Sequence, residues 1–193
     1  MTGCVKDGEE TIVYLGYEDY ILPIESVIPQ ELLDVFSDSI GEIYRGHIPP
    51  NVEGSFIVSP KQRVLSNNLL SWPLEVVEPD MTLQISDQHN GVIVSLDCAE
   101  ATATPTDSVY IMGHDNYFTI YFREVKTFES GGFETRITRG MMIVGEICPE
   151  GIKNLKYADI IISIDDNSDG LIVQYPAGQY FVYKDGNGLS ARQ

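Results

Sequence analysis

The chain has 193 residues and a mass of 21.5 kDa, which suits one ordinary domain and excludes an elaborate multidomain enzyme. Hydrophobic residues make up 43% and charged residues 21%, so the chain can bury a core and is not disordered. Twelve basic against 29 acidic side chains leave a net charge of −17, which argues against non-specific binding to nucleic acid or to an anionic membrane, both polyanions.

Residues 1–10 are polar and acidic and lack the apolar stretch of a signal peptide. Cys4 therefore does not read as a lipoprotein cysteine, and synthesis in the cytoplasm is expected. Short runs rich in Val, Ile, Tyr, Phe and Thr, punctuated by Gly, Pro, Asn and Asp, predict strands along most of the chain. They fall at 11–15, 20–24, 40–44, 55–59, 63–66, 74–77, 82–86 and 92–96. They continue at 109–112, 117–123, 133–138, 141–147, 159–164, 171–175 and 179–183. One short helix is expected at about 29–37: Pro29 suits a first helical position, Glu31 the first turn, and Leu32, Leu33, Phe36 and Ile40 recur at helical spacing. A further short helical turn is expected at 153–157.

Four hairpins follow from the turn residues. Residues 83–96 turn through Asn90 and Gly91, where Asn-Gly supplies positive φ. The others are 110–122 through Gly113 to Asn116, 133–147 through Thr138, Arg139 and Gly140, and 160–173 through 165–170. The expected fold is all-β: an antiparallel β-sandwich or barrel built from hairpins, with no βαβ alternation. The Ala, Thr and Pro of residues 98–107 read as an extended connector. The chain is then either one β-rich domain over 1–193 or two sub-lobes, 1–98 and 108–193. Apolar runs such as 141–144 and 160–162 fall far short of the roughly 20 residues that span a bilayer.

The sharpest local motif begins at Asp165. Asp165, Asn167 and Asp169 place oxygen side chains at positions one, three and five, followed by Gly170 and the carbonyl of Leu171, as in the first half of a calcium loop. Position twelve is Pro176 and the flanks read as strands, which excludes an EF-hand. What remains is a strand-loop-strand Ca2+ site completed by a carboxylate from elsewhere, or an Asx-rich turn made by the same residues. Apart from that Ca2+, no cofactor is expected. His47, His89 and His114 fall in loops; His89, His114 and Asp115 make a transition-metal site only if their two hairpins are adjacent. Cys4, Cys98 and Cys148 have no close zinc-type spacing and read as reduced thiols.

No arrangement predicts catalysis. Ser130 precedes Gly131 and Gly132 but lacks the Gly-x-Ser-x-Gly frame, and no phosphate loop, His-Glu-x-x-His or dinucleotide fingerprint occurs. Charge is unevenly spread: residues 1–122 carry 4 basic and 19 acidic side chains, residues 123–156 carry 6 and 5. That asymmetry points to head-to-tail association in which Arg123, Lys126, Arg136 and Arg139 of one copy face acid on the next. The expected function is therefore non-catalytic and structural: a component of a virus or phage particle, such as a head decoration, neck or tail protein. Its partners would be copies of itself and other particle proteins, with no nucleic acid and no membrane. Two rival readings use the same residues. One is an acidic mimic of DNA that inhibits a nucleic-acid-binding enzyme; the other is a calcium-dependent glycan-binding module built on the 165–170 loop and the tyrosines.

Overall fold

In the computed structural model the described residues are 22–67, 77–90, 92–98, 108–130, 133–165 and 176–193. Two helices open this part of the chain, α1 (Ile24–Val27) and α2 (Gln30–Ile40). Each follows a proline, Pro23 or Pro29, whose fixed φ fits the approach to a helix and whose missing N–H costs nothing there. The single expected helix is α2, three residues longer at its C-terminus than the sequence suggests. It stops at Gly41, which takes φ 95°, a region that favours glycine, and donates its N–H to Ser37 O at 3.1 Å. That extension displaces the strand expected at 40–44; residues 41–46 run irregularly instead, with the Tyr44 amide donating to Thr119 Oγ1.

Among the described residues eleven strands follow: β1 (Gly54–Val58), β2 (Lys61–Ser66), β3 (Val77–Glu78), β4 (Met81–His89), β5 (Val92–Cys98), β6 (Val109–His114), β7 (Tyr117–Ser130), β8 (Phe133–Cys148), β9 (Gly151–Asp165), β10 (Tyr180–Asp185) and β11 (Leu189–Arg192). Every pairing between them is antiparallel, so the all-β expectation holds. Besides the strands expected at 40–44 and at 20–24, where Ile24 opens α1, two further local expectations fail. No turn forms at 138–140, and β8 is one continuous strand. Gly140 lets the strands pack closely there: a Cβ would lie 3.2 Å from Ile162 Cδ1 and 3.4 Å from Ile160 Cγ2, tighter than ordinary contact. Residues 153–157 belong to β9, bulged at Asn154 (φ 51°), because they pair with strands on both sides.

The strands form one sheet in the order β11-β1-β4-β5-β6-β7-β8-β9-β10-β2-β3, and a further pairing of β11 with β9 closes it. β9 meets β11 along residues 151–153 and β10 along residues 156–160, so β10 and β11 act as one bent stave. β1 with β2, and β3 with β4, bend at the same level. Counting each bent pair once, the eleven strands make an eight-stave up-and-down barrel in chain order. The bends are tied together. Gly186 donates its amide to Pro60 O at 2.8 Å, and the Asn187 side chain donates to Ser59 O. Buried Asp185 accepts from Ser59 N (3.1 Å), Ser190 Oγ (2.9 Å) and Asn187 N (3.0 Å).

Closure gives each strand an inner and an outer face, and both are apolar over much of β6 to β9. Phe118, Ile120 and Phe122 of β7 and Met141 and Ile143 of β8 point inward, joining Phe56, Leu83 and Ile111. The residues between them, Tyr121, Met142 and Val144, point outward and are covered by Ile24, Ile28, Leu33 and Phe36 of the helical segment. Tyr121 stacks on Tyr110, with ring centroids 5.5 Å apart, and donates its hydroxyl to Leu22 O at 2.7 Å. The helices thus seal one outer flank of the barrel.

Truncation of the tie at the bends provides a direct check. Asp185→Ala leaves three donors without their carboxylate, so unfolding free energy should fall by about 3 kcal/mol in urea titration. A loss below about 0.5 kcal/mol, ordinary for a surface change, would refute its role.

Candidate functional site

The barrel interior changes character along its length. At the end carrying the β6–β7 and β8–β9 turns it is apolar; toward the β7–β8 connection it becomes charged. The inward phase of β7 that runs Phe118, Ile120, Phe122 continues into Glu124 and then Lys126. Register places Arg139 opposite Glu124, Phe181 opposite Asp159, Tyr183 opposite both Tyr157 and Arg63, and Glu78 opposite Lys61. Seven charged side chains from five strands, with Phe181 and Tyr183 of a sixth, therefore occupy one belt. Four of the chain's twelve basic residues are in it, although the protein as a whole is strongly acidic.

The belt is paired and largely dry. Lys61 Nζ lies 3.2 Å from Glu78 Oε2 and Arg63 3.6 Å from Glu78 Oε1, with both cations 6% exposed. Lys126 Nζ lies 3.4 Å from Glu124 Oε1, and Arg139 Nη1 donates to Asp159 Oδ2 at 3.4 Å. Tyr157 and Tyr183 stack with centroids 5.0 Å apart; Lys61 stands 5.0 Å above the Tyr183 ring and Arg63 5.9 Å above that of Phe181. Glu124 is completely buried, yet among the described residues neither of its oxygens accepts a hydrogen bond. The Nε of Arg139 is a buried donor in the same condition. Charges held out of water cost several kcal/mol each unless well paired, so a belt whose buried Glu124 has the Lys126 ion pair but no hydrogen bond is expensive as a purely structural device.

Burial pushes the Asp159 carboxyl up to about 6; the Arg139 guanidinium opposes that rise, and the Glu124 carboxylate reinforces it. Burial likewise raises the Tyr183 phenol, with Asp159 and Glu78 adding to the effect.

The four cations expected at an interface do not share a surface. Strand alternation sends Lys126 and Arg139 into the belt and Arg123 and Arg136 to the outer face. Arg123 donates to Val27 O (2.5 Å) and Ser26 O (3.0 Å), satisfying carbonyls at the end of α1. Arg136 is exposed, between Thr127 of β7 and Asp165 of β9. Of the calcium motif, Asp165 is the exposed last residue of β9; Asn167, Asp169 and Leu171 lie outside the described residues. His89 contacts Asp87 O and His114 contacts Asp115, each within its own turn. Among the described residues no three His, Cys, Asp or Glu converge as a metal site.

Near the other end, Tyr44 stacks on Tyr117 with centroids 4.8 Å apart. With Glu42, Glu146 and Lys156 the pair borders an open cavity of about 120 Å³. Burial raises the Tyr44 phenol, and Glu42 adds to it.

The inner belt is what sequence reading missed. Its signal was present: Glu124 and Lys126 stand in phase with Phe118, Ile120 and Phe122, which marks them as inward-facing once that stretch is a strand. The chain matches no family model, no curated protein and no solved structure.

The raised Asp159 carboxyl has a definite sign. An unfolded aspartate titrates near 3.9, so between about pH 4 and pH 6 the folded chain holds a proton that the unfolded chain has released. Stability from this group is complete below pH 4 and is lost as pH rises through 6. Asp159→Asn should therefore gain on the wild type by about 3 kcal/mol between pH 4 and pH 7.5, read from urea midpoints. A mutant-minus-wild-type difference that does not change over this range would exclude that titration.

Proposed function

We propose that this chain is a non-catalytic component of a protein assembly, in the setting of a virus or phage particle, and that it works through contacts with copies of itself and with other particle proteins. The observation that carries this is the mismatch between β6 and β7. β6 has 6 residues and β7 has 14, and the two pair only over residues 110–114 and 117–121. Beyond Phe122, among the described residues, β7 has a strand partner on its β8 side alone. An edge of that length offers a row of backbone donors and acceptors to another chain's strand. It also carries Phe128, which is 38% exposed.

The charge balance supports the same reading. A surface derived from 29 acidic and 12 basic residues can border nucleic acid without adhering to it, so it leaves protein contacts as the route of association.

Mass photometry and sedimentation of the purified chain test the proposal. The expected result is a discrete oligomer, weakened about tenfold by Phe128→Asp with unfolding free energy changed by less than about 0.5 kcal/mol. A chain that stays monomeric at about millimolar concentration, and is absent from large particles in its source, would overturn it.

A further inference from the structure

The inner belt points beyond assembly. A small eight-stranded barrel has an interior that is filled by side chains or holds one small ligand. Here the filling is apolar at one end, while at the other a completely buried carboxylate accepts no hydrogen bond among the described residues. Glu124 and Arg139 are register partners on β7 and β8, yet the Arg139 guanidinium turns to Asp159 and leaves its buried Nε–H without an acceptor. A carboxylate held only by the Lys126 ion pair and an N–H donor without a hydrogen bond thus stand on adjacent strands, roughly 5 Å apart at the backbone, on the same inner face.

We propose that this belt binds a small uncharged molecule with a hydrogen-bond donor and acceptor side by side, namely a primary amide or a lactam edge. Its N–H would donate to Glu124 and its carbonyl would accept from Arg139 Nε. An amide matches both groups at once, whereas a carboxylate would face Glu124 with like charge and an amidinium would offer Arg139 no acceptor. The rings of Tyr157, Phe181 and Tyr183 line the same inner face, which favours a flat body behind the amide. This site is independent of the β7 edge.

Benzamide, benzoate and benzamidine differ in little but charge and serve as probes. Titration of each into the intact chain, followed by amide NMR shifts and melting midpoint, should show benzamide binding and stabilising the protein, with the other two at least about tenfold weaker. Glu124→Gln, with its fold confirmed by its own melting curve, should weaken benzamide about tenfold. Arg139→Lys keeps a cation beside Asp159 but removes the Nε donor, and should also weaken it. Preference for benzoate or benzamidine, full benzamide affinity in Glu124→Gln, or no response to any probe at about 10 mM would overturn the proposal; the last outcome leaves water as the occupant.

Discussion

The decisive constraint is that β9 pairs with two strands on the same side. Its first residues meet β11 and its later ones meet β10, and through β11 the sheet returns to β1 and closes. Without that return the sheet would be open, and Phe56, Leu83 and Ile111 would lie on a face with nothing opposite. With it, the same side chains converge on Phe118 and Met141 and exclude water. The hydrophobic stabilisation of the core, about 2 kcal/mol for each large side chain, thus depends on a few backbone pairs at a closure that Asp185 and Asn187 hold in register.

Closure also explains the sequence texture of the second half of the chain. A strand with one face in water alternates apolar and polar residues, and β4 does so: its odd positions from Met81 to Ile85 are buried, and the residues between them are more exposed. Residues 141–144 are apolar without a break because one set fills the barrel and the other meets α1 and α2. The helices do not participate in the sheet, but they make the outer flank dry, and they take Arg123 as their anchor to β7.

Most strand positions and the antiparallel class could be read from the chain, because β-branched and aromatic runs between turn residues are local signals. Gly140 was misread for a reason that is not local. Glycine beside Arg139 resembles a turn, and only the isoleucines arriving from β9 show how closely the strands pack at that position. Residues 153–157 mix Lys, Asn and Leu in a pattern that suits a helical turn as well as a twisted strand, and pairing on both sides decides the matter. The belt was illegible as a site because its members come from six strands spread between Lys61 and Tyr183. Each one alone looks like an ordinary surface charge. Their meeting is a property of barrel closure, which no window of sequence contains.

The charged belt and the β7 edge share one origin. The long staves β7, β8 and β9, at 14, 16 and 15 residues, outrun their neighbour β6, at 6. Where all the staves are present, side chains facing inward are surrounded by apolar partners and the barrel is a solid core. Beyond the pairing with β6, the inner face of β7 changes from Phe122 to Glu124, and the edge of β7 has no strand partner among the described residues. Had the strands been matched in length, the apolar pattern could have run to both ends, with no backbone edge to offer and no reason to place charge inside. Unequal strand length therefore produces the polar interior and the open edge together, and concentrates at one end of the barrel the features most able to engage another molecule.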